Sequence, residues 1–350
     1  VAYTIITAAA TSSDSNYSGV NPADVSVSNT DNDNAAVIVE QTADSTEVVE
    51  GGIGDSYTLV LSSQPSSDVT IALTGGSQVT TSPTSLTFTS VNWATAQGVT
   101  VTAIDDAVDE STPHSGSVTS ILSSSDSNYN GSSVAPINVS IADNDSAGFN
   151  VSPTSGLTTT EAAGTASFSV ALTSQPTGTV TIGLSSSDSS EGTVAPLSLS
   201  FTTLNWQTAQ AVTITGADDL LADGNIAYTI ITGAAASSDG NYNGVNPSDV
   251  SVTNVDDDIA GVLVTQSSGS TAVTEGGNTD SYTVELSTQP TSDVSVVLGV
   301  GGQLSVSPSN LIFTSLNWNV AQTVTVTATN DVVVEGPHSA SISHSTSSSD

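Results

Sequence analysis

The chain has 350 residues and no lysine, arginine, cysteine or methionine; aromatics are also sparse, at 3 Trp, 5 Phe and 7 Tyr. Each absence excludes something. Without lysine or arginine, 35 aspartates and glutamates leave a formal charge of −35 at pH 7, and only three histidines can meet a carboxylate as cations. Phosphates of nucleic acid and an anionic membrane surface find nothing here to neutralise them, so neither is an expected partner. Without cysteine no disulfide braces the fold, and without lysine no Lys–Asn isopeptide link does. Hydrophobic burial and metal binding remain. No run of 18 apolar residues and no signal-like segment is present, so no membrane insertion is expected. The chain reads as an excerpt of a longer, acidic, Ser/Thr-rich extracellular or cell-surface protein.

What is present is repetition. LTFTSVNWATAQGVTVTAIDDAVDE (86–110) returns as LSFTTLNWQTAQAVTITGADDLLAD (199–223) and as LIFTSLNWNVAQTVTVTATNDVVVE (311–335). The spacings Trp93 to Trp206 (113) and Trp206 to Trp318 (112) set a period suited to one sandwich domain. Val99, Val101 and Ala103 alternate with Thr100 and Thr102, the period of a strand with one buried face. Such alternation with 36% hydrophobic residues argues against disorder.

Residues 1–33 share 24 identities with 226–258 but only 14 with 113–145, so two domain types alternate. Residues 1–34 are expected to be the C-terminal part of a truncated B-type sandwich, 35–145 an A-type, 146–258 a B-type, and 259–350 an A-type lacking its last strand. In the first A-type segment the predicted strands are 37–49 (A), 55–62 (B), 68–74 (C), 85–89 (D), 97–104 (E), 115–122 (F) and 136–142 (G). The fold class expected is all-β, with seven-stranded immunoglobulin-like sandwiches arranged end to end.

Strand parity then places the acids. When strands alternate direction, the A–B loop, the E–F loop and the end of G share one pole. Those segments hold Glu50, Asp105, Asp106, Asp109, Glu110, Asp143 and Asp145 in the first A-type segment. The matching residues are Glu161, Asp218, Asp219, Asp223, Asp256 and Asp258 in the B-type, Glu275, Asp331 and Glu335 in the last segment, and Asp31 and Asp33 in the first fragment. Carboxylates converging without a base raise one another's pKa unless a cation holds them. Calcium, which takes six to eight oxygens in flexible geometry, is the expected cofactor, and magnesium suits such crowding less. The alternative is that these are solvated loop acids of a uniformly acidic protein.

The Glu-Gly turn before strand B, the D-D-x-x-x-[DE] run after strand E, the terminal D-N-D and the L-x-F-T-x-x-N-W stretch together resemble the Calx-beta domain, found in tandem in very large bacterial surface and secreted proteins. The resemblance covers the whole chain and implies an immunoglobulin-like sandwich that binds calcium at one pole through the positions just named. The chain departs from the pattern at Ala222 and Val334, which stand in place of Asp109, and at Asn330, in place of Asp105.

The tryptophans are expected to pack at the sandwich rim rather than to stack sugars, and His114, His338 and His344 to be surface residues. Asn130-Gly131-Ser132 matches a glycosylation acceptor. No nucleophile triad, phosphate loop or zinc spacing recurs, so no enzyme is expected. The function expected is a structural segment of an extracellular fibre or adhesin stalk, continuous with neighbouring repeats of the same chain and able to associate laterally. The alternative is an adhesin module that binds glycan or a host protein.

Overall fold

The computed structural model describes residues 1–350, and the chain is nearly all β: strands joined by turns, with two single-turn 3-10 segments. It divides into two compact units, Val1–Asp145 and Ser146–Asp350.

The first unit opens with an antiparallel pair, β1 (Ala2–Ile5) and β2 (Val25–Ser28), in register Ala2↔Ser28. Neither strand buries a residue, so this pair contributes no core. From residue 37 onward two sheets enclose one. The first contains β3 (Val37–Gln41), β5 (Asp55–Leu61), β9 (Gln97–Ala103) and β7 (Val79–Ser82), in the order β3-β5-β9-β7. The second contains β4 (Glu47–Val49), β11 (Ile137–Ala142), β10 (His114–Ser124), β6 (Val69–Thr74) and β8 (Ser85–Phe88), in the order β4-β11-β10-β6-β8. The alternation read from the sequence is the alternation of burial: Val99 and Val101 are fully buried while Thr100 and Thr102 are exposed. Tyr57, Leu59, Ile71, Phe88, Val118 and Ile141 complete the core from both sheets.

Nine strand segments, β3–β11, stand where seven were expected, because predicted strand A is divided between the sheets and an unpredicted strand, β7, precedes strand D. Strand A, predicted as continuous over 37–49, breaks at Thr42–Asp44, where Ala43 (φ 52°) and Asp44 (φ 64°) adopt the left-handed conformation. Thr42 Oγ1 donates to Ser56 O (2.7 Å) and the Glu47 N–H donates to Asp55 Oδ2 (2.9 Å), which holds the crossover in place. Strand D, predicted at 85–89, is the second half of a ribbon whose first half, β7, pairs with β9. Pro83 lies between the halves and has no N–H to extend a ladder.

The second unit repeats this plan. Its first pair of sheets is β12 (Phe149–Ser152), β14 (Thr165–Leu172), β18 (Gln210–Gly216), β16 (Gly192–Ala195), and β13 (Leu157–Thr160), β21 (Val250–Val255), β19 (Ile226–Thr232), β15 (Val180–Ser186), β17 (Ser198–Phe201), with β20 (Ala236–Ser237) pairing β15. Its second pair is β22 (Val262–Gln266), β23 (Asp280–Leu286), β27 (Gln322–Ala328), β25 (Leu304–Ser307), and β26 (Asn310–Phe313), β24 (Val294–Val300), β28 (Ile342–Ser347). Each pair encloses its own hydrophobic cluster.

The repeated Asn-Trp is structural. Asn92 Oδ1 accepts from the Thr89 N–H, and the Trp93 carbonyl accepts from the Leu61 N–H (3.1 Å). Asn205 with Thr202, and Asn317 with Thr314, make the same turn. Each indole packs against the edge of its core, as expected for rim residues.

Candidate metal centres at the acidic poles

The parallel pairing of β4 with β11 creates the first pole. Ala142 lies opposite Val49, so the residues that follow, Asp143 and Glu50, leave the sheet side by side. The Glu50 N–H donates to Ala142 O (3.0 Å). Gly51 then turns away at φ +62°, and a Cβ there would meet Asn144 Nδ2 at 3.0 Å, which explains why glycine follows the glutamate. The second unit uses the same device: β13 runs parallel to β21, and the Glu161 N–H donates to Val255 O (3.1 Å).

Two backbone turns fix the aspartates. Asp143 Oδ1 accepts from the Asp145 N–H (2.8 Å), as Asp256 Oδ1 does from Asp258 (2.7 Å) and Asp31 Oδ1 from Asp33 (3.0 Å). After strand E, Asp106 Oδ1 accepts from the Val108 N–H (2.8 Å), Asp219 Oδ1 from Leu221 (2.7 Å) and Asp331 Oδ1 from Val333 (2.7 Å). Asp143 also ties the two segments together, since its Oδ2 accepts from the Glu110 N–H; Asp256 Oδ2 does so from Gly224 (2.7 Å). Asn144, absent from the sequence-derived site, donates through Nδ2 to Glu50 O (3.0 Å) and Asp105 Oδ1 (3.1 Å).

Ligand-capable atoms of Glu50, Asp143 and Asp145 lie within 4.8 Å of one another, as do those of Glu50, Glu110 and His114. Glu50 is 2% exposed, and neither of its carboxylate oxygens has a hydrogen-bond partner. Burial, and then the charges of Asp106, Asp143, Glu110 and Asp105, push its pKa up to about 7. Asp145 is raised by burial and by Asp143, Asp105, Asp106 and Asp109. In the second unit, Glu161 is likewise pushed up to about 7, by burial above all and then by the charges of Asp256, Asp219 and Asp223, against a hydrogen bond from the Asp257 N–H. Glu161 clusters with Asp257 and Asp258, and the pKa of Asp258 is raised by burial and then by the charges of Asp256, Asp257, Asp218 and Asp219. In the last segment Glu275, Glu335 and His338 come together, and the pKa of His338 is raised by its hydrogen bond to Gly336 O and then by the charges of Glu335, Glu275 and Asp331. Asp31 and Asp33 join no such cluster, since the first fragment has neither an A–B turn nor an E–F loop beside them.

Besides Asn144, four residues outside the sequence-derived list belong to these poles. Asp257 is one. Glu191, 6% exposed, clusters with Asp219 and Asp223. It lies ten residues before Phe201, where the A-type segments have Gln78 and Gln303 at the same distance before Phe88 and Phe313. Those glutamines donate instead, Gln78 Nε2 to Glu110 Oε1 (3.0 Å) and Gln303 Nε2 to Glu335 Oε1 (3.1 Å). The other two are His114 and His338. His114 is not a surface residue as expected: its ring is 11% exposed, with Nε2 3.0 Å from Glu110 Oε2 and 3.7 Å from Glu50 Oε1. The reason is register. His114 opens β10 opposite the buried Ile141 and points to the same side. His344 is also half-buried, with Nε2 3.1 Å from the Tyr282 hydroxyl, whereas His338 is exposed. The repeated Pro-His-Ser (113–115 and 337–339) was the available signal.

A buried carboxylate with both oxygens orphaned, ringed by oxygen donors, fits a hard dication. Glu50, Asp143, Asp145 and the neighbouring Asp105, Asp106 and Asp109 would hold it in the first unit, and Glu161, Asp257 and Asp258 in the second.

No protein-family model and no curated protein sequence matches the chain. Among solved structures, it is similar to the CBD12 region of CALX1.2 at 14% identity, covering 62% of this chain and 98% of that one, with a TM-score of 0.29. The calcium binding domain CBD12 of CALX1.1 aligns at 18% identity over 57% of this chain and 80% of that one, with a TM-score of 0.27. Domains 4 and 5 of the S-layer protein SbsC align at 20% identity over 44% and 69%, with a TM-score of 0.24. At these scores the likenesses carry no functional argument.

Proposed function

We propose that the chain is a non-catalytic structural segment of an extracellular fibre or stalk, built of tandem immunoglobulin-like sandwiches stiffened by calcium at their poles. The observation that carries this reading is Glu50: a glutamate 2% exposed, without a hydrogen-bond partner, facing other carboxylates in a protein that has no lysine or arginine. Solvated loop acids do not bury an orphaned carboxylate, because an unpaired buried charge is costly. A dication converts that cost into binding. The site also reaches the next pair of sheets. In the second unit the Gln289 N–H donates to Leu220 O (2.7 Å), and Leu220 follows Asp219 in the acidic loop. Ordering that loop with calcium would therefore order the junction.

Small-angle scattering of the 350-residue chain tests this directly. Calcium should give an extended, stiff particle, and chelation with EGTA a shorter maximum dimension and a more flexible profile. An unchanged maximum dimension would overturn the proposal. An adhesive role rests on loops such as 125–131, but there Asp126 Oδ2 accepts from the Ser66 N–H (2.8 Å) and the Tyr129 hydroxyl donates to Ser63 O (2.7 Å). Those side chains are spent on the fold, which favours spacing over recognition.

A further inference from the structure

We propose that the A-type segments carry a second kind of metal site, in which Glu50, Glu110 and His114 bind a borderline divalent ion of the zinc class, and Glu275, Glu335 and His338 form its counterpart. The site needs no calcium elsewhere, so it does not depend on the calcium reading, although Glu50 belongs to both clusters.

The argument begins with unmet bonding capacity. Both ring nitrogens of His114, both carboxylate oxygens of Glu50 and Oε2 of Glu110 are buried without a hydrogen-bond partner. His114 Nε2 and Glu110 Oε2 approach to 3.0 Å but are not aligned as donor and acceptor. The spacing has another use. Donors about 2.0–2.1 Å from a tetrahedral ion stand roughly 3.3 Å apart. The distances from Nε2 to the two carboxylates, 3.0 and 3.7 Å, bracket that separation. Glu50 supplies the most buried ligand, its side chain being wholly enclosed.

Donor chemistry separates this site from its all-oxygen neighbour. Calcium and magnesium prefer oxygen ligands, whereas imidazole suits zinc, cobalt, nickel or copper. The Glu50, Asp143 and Asp145 cluster has no nitrogen. In the last segment His338 Nδ1 donates to Gly336 O (3.0 Å), which leaves Nε2, 3.5 Å from Glu335 Oε2, as the free coordinating atom. The B-type segment has no histidine. Its pairing starts with Ile226 opposite Asn254, where the A-type has His114 opposite Ile141, and its clusters are carboxylate only. Glu191 adds a further carboxylate there, where the A-type has an amide.

The test is zinc and cobalt binding by the full chain after stripping with chelator, measured by equilibrium dialysis and by cobalt absorption. Two zinc-class sites are expected. His114→Asn should weaken one of them tenfold or more, His338→Asn the other, and the double variant both, with calcium affinity changed by less than about threefold. Because a variant can misfold, the parent protein is also followed by imidazole nitrogen NMR, where the Nε2 resonance of His114 should shift with the first equivalents of zinc. Zinc affinity equal in the parent and the double variant, or histidine resonances that ignore zinc, would overturn the proposal and show the histidines to be counter-cations of the acids. Loss of calcium binding with zinc binding intact would overturn the calcium reading alone.

Discussion

The N–H of Glu50 donates to the carbonyl of Ala142, 3.0 Å away, and this bond aims a buried carboxylate at the aspartates that follow strand β11. The glutamate sits one residue past the end of β4 and is almost wholly buried. Glu161 stands in the same relation to Val255. The conflict between burial and charge is thus built into the sheet and is relieved only by a proton or a cation.

That conflict fixes the pH dependence of the metal-free protein. Glu50 and Glu161 have folded-state values of about 7 against 4.5 unfolded, so the folded state holds the proton more tightly. Below the unfolded value both states are protonated and nothing is lost; between 4.5 and 7 the unfolded state releases the proton first, so stability falls as pH rises and levels off above 7. Each unit of separation corresponds to about 1.4 kcal/mol before screening by solvent. In EGTA the Tm should drop from about pH 5 to about pH 7.5, Glu50→Gln should reduce the drop, and calcium should abolish it. A Tm in EGTA that rises over this range would contradict the assignment.

Calcium affinity should depend on position and not simply on charge. Glu50→Gln and Asp106→Asn remove groups at the pole, and each is expected to weaken binding in the first unit by roughly tenfold or more. Asp44→Asn removes the same charge from an exposed turn at φ 64°, a conformation asparagine tolerates, and should change affinity little. Titration calorimetry on the three variants decides, and equal effects would mean that the acids act only through net charge.

Strand parity makes the pole legible in the sequence, because alternation in the Val/Thr runs marks the strands, and counting strands that reverse direction at each turn tells which loops meet. The same parity places the C–D loop at that pole, although the expected ligands were drawn only from the A–B turn, the E–F loop and the end of G. There the Ile104 N–H donates to Gln78 O (2.9 Å), as Ala217 does to Glu191 O (3.0 Å) and Thr329 to Gln303 O (2.9 Å), so the position of Glu191 follows from alternation alone. The division of strand A between sheets does not, since it depends on left-handed Ala43 and Asp44, and an alanine carries no signal for that conformation while a single aspartate carries only a weak one. His114 lies inside and not at the surface, as was expected of it, for a different reason: its inward direction comes from its register opposite Ile141, and register is a property of two strands together.

At the opposite pole the acids are structural. Asp126, Asp239 and Asp350 each accept a backbone N–H from the B–C loop, those of Ser66 (2.8 Å), Thr177 (2.7 Å) and Thr291 (3.0 Å). Tyr129 and Tyr242 donate their hydroxyls to Ser63 O and Ser174 O, both at 2.7 Å. Tyr129→Phe leaves the half-buried Ser63 carbonyl without this donor and should cost about 1 kcal/mol of stability, while calcium affinity at the far end of the strands stays unchanged. Thermal melts and calcium titration of this one variant separate the two poles, and a parallel loss of calcium affinity would show that they are coupled.

The difference between A-type and B-type poles also predicts how a fibre built from them should look. Gln78 and Gln303 in the A-type stand where Glu191 stands in the B-type, and only the A-type has histidine at the pole. Successive junctions therefore differ in donors and in charge, so the structural repeat along a fibre should be two domains and not one. Strands such as β5 and β18, each of 7 residues, at ~3.3 Å per residue plus their loops, give a sandwich of roughly 40 Å and an axial repeat of about 80 Å. A fibre reconstruction should show that repeat as the dominant layer spacing, with a weaker subrepeat at half the value. A single strong spacing of one domain, with the two pole types indistinguishable in density, would mean that the chemical alternation has no structural consequence and that calcium sets every junction alike.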